Sequence, residues 1–371
     1  MQSICQRCVL DNSVSEIVID KAGVCNFCKD FDEQISDYVL SDEQVNLKLT
    51  KLSDLIKKEG SSKEFDCIMG MSGGVDSSYV AHLAGELGLR PLVVHLDNSW
   101  NSEIAVKNVK NIVTKLDFKL HTHVINWNEF KDLQKSYFKA SVIDLEVPTD
   151  NAITAIIYQL ASRHGIKHDL SGGNYRTEHG LPKSWRWDKL DLRNLNHIHK
   201  SHGNLKLKSY PKISNTKFNF WYRGFLRIQQ HLPLNLVNFK RNEATNILKE
   251  NYDWRDYGGK HHESLFTKFY QSHVLPNKYK VDKRRAHLSC LIRNNEMSRS
   301  EALEILQAPT YSNEDLAIER PYVLKKLGFS ESEFDNFLEA DAVPHETYKN
   351  EKSIKNFITR FLNVMQRINH L

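Results

Sequence analysis

The sequence has no apolar run long enough to cross a membrane. Its 371 residues are 40% hydrophobic and 26% charged, which is ordinary for a globular protein, and no stretch approaches the roughly 18 apolar residues of a transmembrane helix. Residues 1–5 lack the apolar core of a signal peptide. We therefore expect a cytoplasmic protein without a membrane span. Internal repeats and low-complexity tracts are absent as well.

Cysteine is scarce, and four of the six cysteines lie in two close pairs within residues 1–32. These are Cys5, Cys8, Cys25 and Cys28. In a reducing compartment, a C-x2-C…C-x2-C pattern indicates a metal site rather than disulfides. Four thiolates favour structural Zn²⁺, which would stabilise a unit too small for a core of its own. An iron–sulfur cluster and a metal-free unit are the alternatives. Cys67 and Cys290 lie in apolar stretches and are predicted to be core residues.

The net charge of +5 and the isoelectric point of 8.7 indicate an anionic ligand. Nucleotides and nucleic acids both satisfy this balance. Basic and aromatic residues are frequent in residues 185–222. We expect a small anionic molecule and regard nucleic acid as the less favoured partner.

From residue 65 onward, short apolar segments alternate with amphipathic ones. Strands are predicted at residues 65–70, 91–96, around 124–125 and at 166–171. This alternation predicts an α/β fold, a doubly wound and mostly parallel sheet with helices on both faces. Ligands of such sheets bind at the carboxyl ends of the strands. The loops that follow Gly70, Leu96 and Ser171 are therefore expected to form one site.

The chain is predicted to contain four units. They are the cysteine unit at residues 1–32, a helical linker at 33–62, the α/β domain at 63–240 and a helical C-terminal region at 241–371.

A glycine-rich segment, Ser-Gly-Gly-Val-Asp-Ser-Ser at residues 72–78, follows the first predicted strand and precedes a helix. Glycines let backbone N–H groups converge on an anion, and the helix N-terminus adds a favourable dipole. Serine hydroxyls add donors, and Asp76 is a candidate Mg²⁺ ligand. The segment lacks the Gly-Lys-Ser/Thr of a Walker loop and the glycine spacing of a dinucleotide fingerprint. A distinct kind of phosphate-binding loop is predicted.

This segment resembles the pyrophosphate loop of the N-type ATP pyrophosphatases, which include GMP synthetase, NAD synthetase, asparagine synthetase and tRNA thiolation enzymes. The resemblance implies that ATP is cleaved between its α and β phosphates and that a substrate oxygen is adenylated, with Mg²⁺ as a cofactor. The residues implied to bind the nucleotide are Met69, Ser72, Gly73, Gly74, Val75, Asp76, Ser77, Ser78, Leu96, Asp97, Gly172 and Gly173.

Two segments of the C-terminal region carry a more specific resemblance. Residues 254–264 read Trp-Arg-Asp-Tyr-Gly-Gly-Lys-His-His-Glu-Ser, and residues 282–289 read Asp-Lys-Arg-Arg-Ala-His-Leu-Ser. Their basic residues suit either a pyrophosphate clamp or a solvated face. His261, His262 and Glu263 suit either an acid–base or metal group or a structural role. With the cysteine quartet, the glycine loop and residues 171–174, these segments resemble the N-acetyl sugar amidotransferases of bacterial surface-polysaccharide biosynthesis.

This resemblance implies an AMP-forming ligase that converts the acetamido group of an N-acetylated sugar nucleotide to an acetamidino group, for LPS O-antigen or a related glycan. The implied catalytic residues are Asp76, Lys260, His262, Glu263, Lys283 and Arg284.

The ammonia is expected to come from other chains. Gln2 stands where one type of glutaminase needs a cysteine. The resemblance implies a separate glutaminase and a cyclase-like channel subunit, similar to the histidine-biosynthesis pair. A tRNA-modifying pyrophosphate-loop enzyme and a nucleotide-binding scaffold are the alternative functions.

Overall fold

The computed structural model describes residues 4–259 and 262–359. A parallel sheet of five strands in the order β3-β2-β1-β4-β5 lies at the centre. The strands are β1 (Cys67–Gly70), β2 (Pro91–Asp97), β3 (Lys119–Val124), β4 (His168–Leu170) and β5 (Gln229–His231).

Fifteen α-helices are assigned within the described ranges. They are α1 (Asn26–Ile35), α2 (Asp42–Gly60), α3 (Val75–Glu86), α4 (Glu103–Lys115), α5 (Trp127–Lys139), α6 (Val147–Arg163), α7 (Tyr175–Glu178), α8 (Leu192–His202), α9 (Arg241–Tyr252), α10 (Leu265–Phe269), α11 (Leu275–Tyr279), α12 (Arg284–Arg293), α13 (Arg299–Gln307), α14 (Asn313–Leu327) and α15 (Glu331–Glu339). Lys217–Phe225 forms a π-helical segment.

The sheet is covered on both faces, as the alternating pattern predicted. Met69 of β1 packs in a core shared with α2, α3, α4 and α9. Its neighbour Ile68 points to the other face and packs in the core that contains α5 and α6. Consecutive side chains of a strand point to opposite faces, so each face of β1 carries its own apolar layer. The prediction of a doubly wound α/β fold is confirmed.

One strand escaped the sequence-based prediction. β5 has the sequence Gln-Gln-His and pairs in parallel with β4 through His168↔Gln229 and Leu170↔His231. It is an edge strand of three polar residues, so neither apolar character nor alternation marks it. β3, the other edge strand, also begins earlier than expected, at Lys119.

The cysteine unit packs against the C-terminal region. The Val9 N–H donates to Ser289 Oγ of α12 at 3.2 Å, and Arg285 Nη1 donates to the Val9 carbonyl at 3.0 Å. Arg299 Nε of α13 donates to the carbonyl oxygens of both Cys5 and Cys8 at 3.1 Å. The first and last units of the chain are therefore in direct contact, although about 280 residues separate the bonded pairs.

The C-terminal region is helical, as predicted. α9 begins just after residue 240 and packs against α3 and α4, so it shares a core with the α/β domain. Near the end of this region residues 352–359 are helical, and residues 360–371 lie outside the described part of the chain. In the described part of the chain, no helix combines the length and the apolar character needed to span a bilayer. The four unit boundaries remain predictions.

Candidate active site

The glycine loop joins β1 to α3 in a conformation that needs glycine. Gly73 has a φ of +87°, and a Cβ built on it would lie 2.3 Å from the backbone oxygen of Ala105. The Gly74 N–H donates to Ser72 Oγ at 3.2 Å, and Ser77 Oγ donates to the Gly74 carbonyl at 3.2 Å. These contacts fix the loop without help from a ligand. Both steric and conformational reasons therefore require glycine at position 73.

Beside the loop lies a small cavity of about 150 Å³. A Cβ on Gly172 would come within 3.1 Å of the Ser77 nitrogen, and one on Gly74 within 3.2 Å of the Tyr257 hydroxyl. Gly74 is the N-cap of α3, and Val75, Asp76 and Ser77 of its first turn also line this space, so the space is bordered by a helix N-terminus, which favours an anion. A phosphate group fits such a cradle. The lining residues are Ser72, Gly74, Val75, Asp76, Ser77, Gly172, Glu178, Arg241, Tyr257 and Glu263.

The loop is fastened to a segment far along the chain. The Gly73 carbonyl accepts hydrogen bonds from Trp254 Nε1 at 3.0 Å and from Asn108 Nδ2 at 3.4 Å. Asn108 of α4 also donates to the Arg255 carbonyl at 2.8 Å and accepts from the Arg255 N–H at 2.9 Å. The segment that follows α9 is thus held over the loop, which brings Tyr257 into the small cavity. Burial, and the nearby Glu263 carboxylate, raise the pKa of Tyr257.

A larger cavity of about 540 Å³ opens at the carboxyl ends of β1 and β2 and shares Ser72, Ser77, Glu178 and Glu263 with the small one. Its volume falls in the usual range for a small-molecule site. Residues from distant parts of the sequence line this cavity, among them Glu146, Lys189 and Thr267. The other lining residues are Gly70, Met71, His95, Leu96, Asn98, Asn101, Asp144, Thr149, Asp150, Ile153, Thr177, Glu178, Leu181, Trp185, Arg186, Ser264, Tyr270, Gln271, Lys283, Ala286, His287 and Cys290.

Three carboxylates and a lysine form a charged group in this cavity. Lys189 Nζ lies 2.8 Å from Asp144 Oδ1 and 3.0 Å from Asp150 Oδ2. Burial disfavours the charge of Asp144, but the Lys189 ammonium outweighs it, and the pKa of Asp144 is lowered. Glu146 instead accepts hydrogen bonds from Thr267 Oγ1 at 3.2 and 3.3 Å. Burial and the neighbouring Asp150 raise the pKa of Glu146 to about 7.

Lys283 and Arg284 are neighbours in sequence but face different surroundings. Lys283 lines the larger cavity, and its ammonium makes no hydrogen bond or ion pair with any residue that the structure describes. Burial and the Lys189 charge lower its pKa. Arg284 donates to both carboxylate oxygens of Asp282 and to the Ala308 carbonyl at 2.9 Å. The structure therefore brings Lys283 to the site and leaves Arg284 outside the cavity lining.

The remaining predicted site residues are distributed as follows. Glu263 lines both cavities, whereas His262 lines neither, and Lys260 lies outside the described residues. Their catalytic roles remain predictions.

Of the residues expected to bind the nucleotide, some line the cavities and others do not. Leu96 lines the larger cavity; Asp97 and Gly173 adjoin the lining but are not part of it. Met69 is buried within the sheet, and Ser78 is buried behind the loop.

His95 was missed by the sequence-based reasoning. The Asn101 amide nitrogen is a hydrogen-bond donor and lies 3.1 Å from His95 Nε2, which therefore accepts. The proton of the neutral ring is then on Nδ1, which donates to the Met71 carbonyl at 2.8 Å. The same Asn101 amide donates to the Leu96 carbonyl at 2.9 Å. The ring therefore ties the ends of β1 and β2 together. A histidine inside an otherwise apolar strand was the only signal available.

The four N-terminal cysteines meet as a compact group. All are buried, and their Sγ atoms lie within 4.8 Å of one another, with Cys8 and Cys25 3.7 Å apart. Tetrahedral Zn²⁺ with Zn–S bonds near 2.3 Å places its sulfurs about 3.8 Å apart. The donor set and spacing therefore fit a metal ion. Cys67 is buried as predicted, and burial raises its pKa. Cys290 is also buried but borders the larger cavity.

Comparison with known proteins gives two family matches. Residues 46–159 match the family described as NAD synthase, and residues 263–362 match the C-terminal domain of the LPS biosynthesis protein WbpG-like family. The first contains the glycine loop, and the second contains Glu263 and Lys283. No curated protein matches the sequence.

Similar solved structures share only a small fraction of identical residues. One is NMN synthetase from Francisella tularensis, with 15% identity over 63% of this chain and 95% of that chain, at a TM-score of 0.31. Another is the NH3-dependent NAD synthetase from Campylobacter jejuni, with 15% identity over 56% of this chain and 85% of that one, at a TM-score of 0.30. The two family matches confirm the resemblance drawn from the sequence: the part of the chain that contains the glycine loop is similar to NAD synthase, and the C-terminal region is similar to the C-terminal domain of WbpG-like LPS biosynthesis proteins.

Proposed function

We propose that the protein is an ATP-dependent amidotransferase that replaces the acetamido oxygen of an N-acetylated sugar nucleotide with ammonia. The observation that carries this proposal is the junction of the two cavities. A phosphate cradle opens through Ser72 and Ser77 into a substrate-sized space. Glu263 and Lys283 of the WbpG-like region form part of its wall. The product would enter LPS O-antigen or a related surface glycan.

Adenylation solves the chemical difficulty of this reaction. An amide carbonyl is a poor electrophile, and its oxygen is a poor leaving group. Transfer of the AMP group to that oxygen makes departure possible, and pyrophosphate is released. The backbone N–H groups at the start of α3, the Ser72 and Ser77 hydroxyls and Arg241 are placed to offset the negative charge of the phosphates. Asp76 would hold the Mg²⁺ that shields the departing pyrophosphate.

The larger cavity is the proposed sugar nucleotide site. Ile153, Leu181 and Trp185 provide apolar surface, and Asn98, Asn101 and Thr149 provide hydrogen-bonding groups. Lys283 lines the same space and makes no ion pair with a described residue, although the carboxylates of Asp144, Glu146 and Asp150 lie near enough to act on its charge. An anionic phosphate of the substrate or of pyrophosphate would form an ion pair with this lysine. Bound substrate would thereby favour the charged form of a lysine whose pKa burial lowers.

The ammonia source lies outside this chain in the proposal. The Cys67 thiol is buried in β1, and the Cys290 thiol donates a hydrogen bond to the His179 carbonyl at 2.9 Å. Neither lies in the exposed turn that an activated glutaminase nucleophile requires. A separate glutaminase would release ammonia, and a cyclase-like channel subunit would deliver it. High ammonium concentrations should replace both partners in the test tube.

The decisive experiment supplies Mg-ATP, ammonium and a panel of diacetamido sugar nucleotides, and detects products by mass spectrometry. Exchange of O for NH lowers the product mass by about one unit, and one AMP should form per product. Asp76→Ala should abolish both signals, whereas Arg284→Gln should retain them. AMP without a modified sugar would redirect the search to another acceptor. Absence of AMP both with and without the two partner proteins would refute the proposal.

A second candidate, a tRNA-modifying enzyme, is favoured by one observation. Residues 192–242 contain ten of the 51 Lys and Arg residues and none of the 46 Asp and Glu residues. Lys206, Lys208, Lys217 and Arg223 in this segment are exposed. Such a segment would bind a phosphate backbone with strong salt dependence. Electrophoretic retardation of tRNA at low salt would support this candidate, and its absence would remove it.

A further inference from the structure

Glu146 differs in its partners from Asp144 and Asp150, the two carboxylates of the larger cavity that lie near it in the sequence. Asp144 and Asp150 are both paired with the Lys189 ammonium, at 2.8 and 3.0 Å. The Glu146 carboxylate makes no ion pair with a described residue and accepts hydrogen bonds only from the neutral Thr267 hydroxyl. It is therefore the one carboxylate of the three whose basicity is not reduced by a bonded cation.

The position of Glu146 is fixed by its surroundings. It is the N-cap residue of α6, and its own N–H donates to Asp144 Oδ1 at 3.2 Å. Thr267 of α10 holds the carboxylate from the WbpG-like side. The charged groups that act on it are Asp144, Asp150, Lys189 and Lys283. The carboxylate lines the same cavity as Ser72 and Ser77 of the glycine loop.

We propose that Glu146 is a catalytic residue that accepts the proton released when ammonia forms the new C–N bond. This assignment rests on the amidotransferase function proposed above. The ammonia lone pair attacks the adenylated carbon, and the C=N electron pair moves to the sugar nitrogen. The adduct carries an –NH3⁺ group, and one of its protons passes to a Glu146 oxygen. AMP then leaves with the electrons of its C–O bond, and the amidinium remains.

Proton removal decides the direction in which the adduct breaks down. While the added nitrogen is –NH3⁺, neutral ammonia competes with AMP as the leaving group, and its departure returns the adduct to the adenylate. A carboxylate within the cavity that ionises near neutrality is suited to take this proton and to release it later to solvent. The raised pKa of Glu146, due to burial and then to Asp150, agrees with this role.

The test separates adenylation from amination. Glu146→Gln keeps the shape and removes the basic oxygen. We expect the variant to retain sugar-dependent exchange between ATP and labelled pyrophosphate, within about threefold of wild type. We expect amidine formation to fall by about 10²-fold or more, the usual contribution of a general base. Glu304 is an exposed carboxylate that is not part of the cavity lining. Glu304→Gln is therefore the matched control and should leave both rates unchanged.

The pH dependence provides a readout that a structural role would not change. With rates expressed per unit of free NH3, wild-type amination should fall as the pH drops through about 7. Thr267→Val removes a donor to the carboxylate and should move this limb to higher pH. In infrared difference spectra of the ligand-free proteins, wild type should show a carboxyl band that titrates in the same range and is missing in Glu146→Gln.

Each failure has a distinct meaning. Unchanged amination by Glu146→Gln, with exchange intact in both proteins, would overturn the Glu146 assignment alone. If the folded Glu146→Gln variant lost both exchange and amination, Glu146 would be assigned to the adenylation step. That result would also overturn its assignment as the proton acceptor. No sugar-dependent exchange in wild type would overturn the proposed function, and the assignment with it.

Discussion

The indole nitrogen of Trp254 lies 3.0 Å from the carbonyl oxygen of Gly73. This bond joins a buried tryptophan of the segment after α9 to the residue on which the shape of the phosphate cradle depends. Because Asn108 donates to the same oxygen and also holds the backbone of Arg255, the contact is part of a small network. The loop conformation therefore depends on residues about 180 positions away.

Replacement of Trp254 by Phe should weaken nucleotide binding, whereas its effect on the stability of the fold should be small. The ring fills most of the same space, but the Gly73 carbonyl loses its shorter hydrogen bond. One lost buried bond costs about 1–3 kcal/mol. We expect the KM for ATP to rise roughly five- to tenfold, as measured by AMP formation. Trp187→Phe, which removes the indole bond to Asp191, should cost similar stability and leave the KM for ATP unchanged. Equal KM effects in both would contradict the anchoring role.

A methyl group on Gly73 should destroy the cradle. Gly73→Ala combines a positive φ with a Cβ placed 2.3 Å from the Ala105 oxygen, so the loop must move. Displacement by about 1 Å is enough to lower turnover about 10²-fold. Gly165 also has a positive φ, +65°, but a Cβ there meets no atom within 4 Å. Gly165→Ala should cost only about 1 kcal/mol of stability, measured by urea unfolding, and keep full activity.

Lys283 and Arg284 should respond differently to the same substitution. Lys283→Gln removes the cation that faces the cavity, and we expect kcat/KM to fall about 10²-fold or more, since a buried charged bond is worth several kcal/mol. Arg284→Gln removes bonds to Asp282 and to the Ala308 carbonyl. It should lower the melting temperature by a few degrees and change kcat/KM by less than about threefold. The reverse outcome would restore Arg284 as the pyrophosphate ligand.

The cysteine group should bind one Zn²⁺ per chain, which elemental analysis of the purified protein can count. Cys25→Ser removes a ligand, so the metal should be lost and the melting temperature should fall strongly, because metal binding contributes to folding. Cys67→Ser is the control, a buried cysteine outside the group that should retain the metal. Iron and visible absorption in wild type would instead identify an iron–sulfur cluster.

Glu146→Gln should stabilise the protein at neutral pH. The pKa of this carboxyl is raised from the ordinary 4.5 to about 7 on folding. Between these values the folded state holds a proton that the unfolded chain releases, so unfolding becomes easier as the pH rises through this window. The glutamine side chain of the variant cannot ionise, so the variant does not lose stability in this pH window. Its free energy of unfolding above pH 7 should exceed that of wild type by on the order of 2 kcal/mol. Urea unfolding of both proteins at pH 4.5 and pH 8 tests this prediction. The free energy of unfolding of the variant should exceed that of wild type only at pH 8.

Local patterns were sufficient to predict the central features. The strand–glycine loop–helix unit and the cysteine quartet each consist of residues that are contiguous or close together in the sequence. Both are present in the structure as expected. The parallel sheet followed from the alternation of apolar segments. β5 did not, because three polar edge residues carry no periodic signal.

The walls of the cavity could not be predicted in the same way. Glu146, Lys189 and Thr267 come from three separate segments, and only the fold brings them together. The difference between Lys283 and Arg284 has a simpler cause. Successive residues at a helix start point about 100° apart, so a basic cluster in the sequence does not act as one group. Only the folded structure shows which member lines the cavity.

The contacts of α12 affect how inhibition by chelators should be interpreted. One side of this helix bonds the cysteine unit through Arg285 and Ser289, and another presents Ala286 and Cys290 to the cavity. A reagent that strips the proposed zinc would remove the support of a wall of the cavity, and turnover would decline slowly as that wall loosened. Removal of magnesium would act at once and be reversed by its addition. A time course with add-back of each ion would distinguish an architectural metal from a reacting one.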